Sequence, residues 1–440
     1  MAGQTSRTND PTHHLSPIHD NRLIHNAYLA DKNLPSSPLM IQRRNISRRL
    51  SIRDVIQAII TSGPISRAQL AKQTNLSKQT VSEIVAHLEK EGWVHQVGRT
   101  HGHIGRTAVT YELIENAAFI ASVDLGGTKV RVALADLACT IINTQQEPTA
   151  PEGGEVVINQ IARLIRQAAL AAGIAPNKVK LVVVGVPGVP DQNTGHVVLA
   201  VNIKGFDDID VISALHDALG IEVILENDVN LAVLGEHAVS QDCDNLVYIS
   251  IGTGIGAGII NNGQLLKGAH NAAGELGYLP LGSDPFEEKS RHTGALERAI
   301  GTEGICARYR AMGGDKATVP EIFAAYQKGE VIAIRTLDKT ANLIAQSITA
   351  VCAVLNPQEI LLGGSIGMRI ELFEQVQKHL SACCPYPVTL KISQLGTQAA
   401  LLGGAHVGLA VFHNLVFEEG MAGLDTSSLT RHAYNLKATP

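Results

Sequence analysis

Two stretches of this 440-residue chain carry the same pattern. Residues 119–135 read as an apolar strand, the turn Asp124-Leu125-Gly126-Gly127-Thr128-Lys129, and a second apolar strand. Residues 246–260 repeat this order around Ser250-Ile251-Gly252-Thr253-Gly254-Ile255-Gly256. Paired hairpins closed by glycine turns predict two lobes facing a cleft. Further strand-like runs fall at 179–186, 222–226 and 360–362, with helical segments at 154–172, 208–219, 229–239, 294–310 and 331–355. Strands alternating with helices define an α/β class. No short-period solenoid repeat is visible.

The front of the chain is different. Residues 1–110 carry 14 Lys and Arg against 7 Asp and Glu, a net of +7, whereas the rest carry 22 against 34, a net of −12. A basic front on an acidic body points to an anionic partner for the front. Overall composition, 45% hydrophobic and 18% charged, is that of an ordinary globular protein. No apolar run reaches the ~18 residues of a membrane span, and Met1 to Asp10 is polar, so a cytoplasmic protein without membrane contact is expected. The six cysteines form no C-x-x-C pair and read as reduced thiols.

Residues 1–45, polar and rich in proline, read as a disordered basic arm. Its histidines, His13, His14, His19 and His25, lack a second ligand cluster that would make a metal site. From Ile46 the apolar spacing turns helical and stops at Gly63-Pro64. Ser66 is placed to cap a short helix, 67–73, and Ser77 a longer one, 78–91, with Val81, Ile84, Val85 and Leu88 inward. Strands at 93–97 and 109–113 flank a glycine-rich loop with Arg99 and Arg106. Residues 46–113 thus spell a winged helix-turn-helix. Its second helix would enter the major groove of double-stranded DNA with Ser77, Lys78, Gln79, Thr80 and Ser82 in the reading turns, and Arg99 and Arg106 would reach phosphates or the minor groove.

In the body, 114–415, the glycine turns suit phosphate, because a backbone without Cβ can approach it closely and Thr128 adds a hydroxyl donor. Asp124 could orient Mg²⁺ through water. A third turn, Gly363-Gly364, follows a strand and suits a nucleotide. A glycine turn without a ligand has the same local pattern. Between these turns lie Gly188, Asn202, Asn227, Asp228, Glu275 and Glu297, whose amides and carboxylates suit sugar hydroxyls. Asp228 is placed either as a general base for phosphoryl transfer or as the N-cap of the following helix, two compatible roles. Residues 416–440 read as a C-terminal tail.

Together the glycine turns, Glu226-Asn227-Asp228-Val229-Asn230 and Ala273-Gly274-Glu275-Leu276-Gly277 resemble the ROK family of repressors, open reading frames and kinases, over roughly residues 46–412. The resemblance implies a two-lobed actin/hexokinase-like (ribonuclease H-like) fold, and the winged helix places the chain with the regulator branch. It implies that Asn202, Asn227, Asp228, Glu275 and Glu297 line a sugar pocket, that Asp228 matches the kinase base, and that 124–129 and 252–256 match the phosphate loops. One departure is plain. Many members follow Gly-Glu-x-Gly with His and a cysteine-rich zinc motif. Here Tyr278 replaces the His, Ala295 stands where the last Cys would be, and no cysteine intervenes. Structural zinc is therefore not expected, His292 alone being no substitute, and Tyr278 is left to offer its hydroxyl to the sugar.

Two functions fit these features. One is a sugar-responsive transcriptional regulator, a repressor of carbohydrate genes that needs no cofactor and works as a homodimer or homotetramer on paired half-sites. The effector would be a sugar or sugar phosphate. The other is an ATP- and Mg²⁺-dependent sugar kinase with an appended DNA-binding head. The winged helix favours the first.

Overall fold

The computed structural model describes residues 38–100, 108–199, 203–240 and 243–417, with side chains over the same ranges apart from 38–49, 99–100 and 414–417. The histidine-bearing arm residues and the tail from 418 lie outside them. The described residues from Ser51 onward form one compact unit. No helix among the described residues is long and apolar enough to cross a membrane.

The front folds as a winged helix: α1 (Pro38–Ser62), β1 (Ile65–Ser66), α2 (Arg67–Gln73), α3 (Lys78–Lys90), β2 (Val94–Thr100) and β3 (Ala108–Leu113). Helix α1 starts at Pro38, ahead of the expected position 46. Ser66 and Gln69 form a reciprocal capping box, and Ser77 Oγ accepts the Thr80 amide at 3.1 Å. The wing sheet has three strands rather than two, because β1 pairs with β3 through Ile65 and Tyr111. Strand β2 also runs further than expected, so Arg99 lies in it, paired with Val109, and not in the loop. Val55, Ile56 and Ile59 of α1 pack with Leu70, Val81, Val85 and Leu88 in the core of this domain. Each such buried aliphatic side chain contributes roughly 1.5–3 kcal/mol.

The body has two sheets of like design. The first lobe contains β4 (Phe119–Leu125), β5 (Lys129–Ala135), β6 (Ile141–Pro148), α4 (Gly154–Ala171), β7 (Val179–Val186), the small hairpin β8 (Val189–Pro190) and β9 (Val197–Val198), α5 (Val211–Leu219) and β10 (Glu222–Asn227). Helix α6 (Asp228–Val239) follows. The second lobe contains β11 (Leu246–Ile251), β12 (Ile255–Asn261), β13 (Gln264–Leu265), α7 (Glu288–Thr293), α8 (Ala295–Ile300), α9 (Thr302–Ala311), α10 (Val319–Gln327), α11 (Val331–Leu355), β14 (Glu359–Gly363), α12 (Gly364–Gly367), α13 (Ile370–Cys383) and β15 (Thr389–Ile392). Helix α14 (Ala399–Phe417) closes the described chain. The sheet orders are β10-β7-β4-β5-β6 and β13-β12-β11-β14-β15. In each, three consecutive strands run antiparallel and two more add in parallel to the first of them. This is the duplicated α/β architecture that the two hairpins foretold. The expected single helix 294–310 is broken at Gly301, which is extended, into α8 and α9.

Helices α6 and α14 lie between the sheets. Their Leu231, Val233, Leu234, Val407 and Val411 share one core with Ile120, Val183 and Ile224 of the first sheet and Leu246, Tyr248 and Leu361 of the second. The two helices touch backbone to backbone. A Cβ on Gly403 would overlap the Leu231 carbonyl, and one on Gly235 the Ala399 carbonyl. Trp93, the last residue before the wing, packs against both this core and that of the winged helix.

Candidate functional site

A cleft of about 200 Å³ opens between the sheets, where strand ends and helix starts converge. Gly126, Gly127 and Thr128 of the β4–β5 turn line it, with Gly252, Thr253, Gly254 and Gly256 from the matching β11–β12 turn. Gly188, Asn227, Asp228, Glu275, Tyr278 and Glu297, all expected sugar ligands, line it too. Ser250 and Ile255 of the second turn also line it, as do Pro187, Leu199, Val229, His292 and Thr293, which the sequence does not single out as sugar or phosphate ligands. Leu199 adopts φ +64°, unusual for a leucine, and no sequence pattern signals that.

Several expected ligands turn out to be held by the protein itself. Asn227, not Asp228, is the N-cap of α6. Its Oδ1 accepts the amides of Val229 and Asn230 at 3.0 Å each, and its Nδ2 donates to the Gly188 carbonyl at 2.9 Å. The capping role read for Asp228 is therefore corrected by one residue; Asp228 takes the first helical position and lines the cleft, its Oδ1 accepting the Val229 amide at 2.9 Å. Glu297 Oε2 accepts the Ile255 amide at 2.9 Å, anchoring α8 to the second turn. Tyr278 donates its hydroxyl to the His292 carbonyl at 3.0 Å and shapes the wall.

The acidic residues share one electrostatic logic. Burial, then the neighbouring Asp124 and Glu275 charges, push the Asp228 carboxyl up to about 8. Burial raises Glu275, and burial with the Glu275 charge raises Glu297 despite the Ile255 amide. Asp124 is raised by burial although Arg131, its cross-strand partner, sits 2.8 Å away. A raised Asp228 keeps a proton near neutrality and can accept one from a hydroxyl only above that range. Such perturbed carboxyls in a cleft mark candidate functional sites.

Not every expected residue reaches the cleft. Asp124, half-buried near the end of β4, and Lys129, exposed at the start of β5, do not line it. Gly363 and Gly364 do not line it either. Their lack of Cβ has an internal reason: one on Gly363 would overlap the Tyr248 ring, and one on Gly364 the Ile251 carbonyl. Asn202 and Arg106 lie outside the described residues, as does the Arg99 side chain. On the recognition helix, Ser77, Lys78 and Gln79 are exposed and Thr80 and Ser82 half-buried. Gln79 Nε2 donates to Glu83 at 3.1 Å, and the Ser77 and Thr80 hydroxyls lie 2.8 Å apart.

The two glycine turns facing one cleft fit a phosphate chain. A divalent cation fits less well, since the Asp124 carboxylate beside them is bound by Arg131. Among the described residues, no group of three or more His, Cys, Asp or Glu is placed to hold a metal ion.

A winged helix joined to a two-lobed, sugar-kinase-like body with a glycine-lined cleft defines the class. Residues 120–410 match the ROK family and residues 53–103 the MarR family, and the chain belongs to the ROK family. The xylose repressor of Bacillus subtilis (strain 168) is 26% identical over 379 residues, which cover 82% of this chain and 95% of that protein. A glucokinase of Halalkalibacterium halodurans is 29% identical over 309 residues, covering 64% of this chain and 92% of its own. Among solved structures, a ROK family transcriptional regulator, a homolog of the E. coli MLC protein, superimposes with a TM-score of 0.66 at 22% identity. It covers 89% of this chain and 98% of its own, and it carries the likeness of fold through both domains.

Proposed function

We propose that the protein is a sugar-responsive transcriptional repressor in the cytoplasm. The winged helix binds operator DNA, and a monosaccharide or its phosphate in the cleft lowers operator affinity. The observation that carries this reading is the pairing of an exposed recognition turn, Ser77 to Gln79, with a cleft rich in carboxyls and amides in one compact unit. The repressor-named relative matches over head and body together, which adds support. Sugar binding alters DNA affinity only if the two states bind sugar differently, so lobe closure is the element to be biased. Two heads per assembly, in a homodimer or homotetramer, would read paired half-sites. Electrophoretic mobility shift at low salt, with the chain's own promoter fragment and a panel of pentoses, hexoses and hexosamines, tests this. A shift released by one sugar is expected, and no shift at any salt would overturn it.

Sugar phosphorylation is the second reading, favoured by Asp228 at the cleft beside two glycine turns. ADP release over the same panel, with ATP and Mg²⁺, tests it, and the absence of turnover with every sugar removes it.

A further inference from the structure

One ion pair ties the two walls of the cleft together from outside it. Lys267 Nζ lies 2.6 Å from Glu226 Oε2, and neither residue lines the cleft. Only 4% of the Glu226 side chain and 24% of the Lys267 side chain are exposed. They come from different lobes. Glu226 is the penultimate residue of β10, and Lys267 follows β13 closely.

Each partner is fastened to a different functional segment. Glu226 Oε1 accepts the Asn227 amide and the Asn230 side-chain amide, both at 3.0 Å, and so fixes the first turn of α6, where Asp228 sits. The Lys267 carbonyl accepts the Ala273 amide at 3.0 Å. Ala273 opens the loop that carries Glu275, and the Gly274 carbonyl of that loop accepts the Ala257 amide at 2.7 Å. Two bonded paths therefore run from one ion pair, the first to Asp228 and the second to Glu275.

We propose that Lys267 is a positioning residue for the sugar site, its ion pair with Glu226 setting the separation of Asp228 and Glu275 across the cleft. The inference rests on the sugar reading above. A pair this buried adds little net stability, because desolvation offsets attraction, but it fixes geometry through the hydrogen bonds each partner makes. Groups that hydrogen-bond a polyhydroxylated ligand must be held within a fraction of an ångström, which supporting residues supply. Lys267 does this without touching the ligand.

Calorimetric titration of the full-length chain with the sugar that the wild type binds, alongside amide hydrogen exchange, tests the proposal. Lys267→Met should raise Kd about tenfold. Lys267→Arg, which keeps a cation facing Glu226, should stay within roughly threefold of the wild type. In ligand-free protein, Lys267→Met should speed exchange at residues 273–276 and 228–230 while leaving 182–184 of β7 unchanged. A folded Lys267→Met with wild-type Kd and wild-type exchange at those residues overturns the proposal. If that variant does not fold, Glu226→Gln keeps the acceptor oxygen but loses the charge, and wild-type affinity there overturns it equally. If the wild type binds no sugar, the sugar reading falls, and exchange alone judges the positioning role.

Discussion

Trp93 and Phe412 meet edge to face, with ring centroids 5.7 Å apart and planes at 61°. Trp93 is the only tryptophan of the chain, and it holds the start of the wing through two backbone bonds, to Leu88 at 2.9 Å and Ile114 at 2.8 Å. Phe412 stands near the end of α14, which packs on α6, which begins at Asp228. The contact is the aromatic joint between the DNA-reading head and the body. Phe412→Leu should leave sugar affinity within about twofold of wild type, yet shrink the change in operator affinity that sugar produces. Titration of the variant with DNA, with and without sugar, checks this, and undiminished coupling would dismiss the joint. Trp93 emission should shift on sugar binding in the wild type and less in the variant.

Asp228 gives a pH dependence with a definite sign. Its carboxyl titrates near 8 in the fold against 3.8 in a free chain. The folded state thus binds the extra proton between those values, and stability falls as pH rises through that window. Asp228→Asn should therefore stabilise the protein by on the order of 2 kcal/mol at pH 8, below the full linkage value because water enters the cleft. The gain should vanish near pH 4. Urea unfolding at both pH values measures it, and a gain independent of pH would contradict the assignment.

The Tyr278 hydroxyl already has a partner within the protein. It donates to the His292 carbonyl, and the Tyr278 ring is 38% exposed. Tyr278→Phe should cost about 0.5–1 kcal/mol of stability and leave sugar affinity unchanged. A clear loss of affinity in calorimetric titration would restore the hydroxyl as a ligand.

The recognition turn divides its labour. Lys78 and Gln79 are exposed at the start of α3, whereas Ser77 caps it. Lys78→Ala, as a lost phosphate contact, should weaken binding to all sequences and reduce the salt slope by about 1. Gln79→Ala should relax base preference and keep the slope. Ser77→Ala should cost about 1 kcal/mol of stability through the lost cap. Binding over a salt series, with thermal unfolding, separates the three.

Most of this architecture was legible because its signals are local. Ser66 and Ser77 announce helices that the structure starts at the next residue, and the two glycine hairpins announce two like sheets. Where partners are remote in sequence the signal is lost. Nothing near Gly363 says that its missing Cβ serves Tyr248, more than a hundred residues earlier. Asn227 and Asp228 are adjacent polar residues, and only the backbone angles decide which one caps α6. Helix α14, apolar around much of its surface, lacks the one-sided pattern of a surface helix because it is covered by both sheets.

Helices α6 and α14 meet at Gly235 and Gly403 without a layer of side chains between them. A cushion of leucines could absorb a small displacement by changing rotamers, but two backbones in contact have no such slack. A displacement of one would have to carry the other, and α14 alone, at 19 residues, extends about 28 Å. In the repressor proposed above, the fit at this crossing would set how much of a movement at the cleft reaches the head. Selection could retune how much sugar flips the regulator by altering the fit at this crossing, leaving both the sugar pocket and the DNA-reading surface untouched.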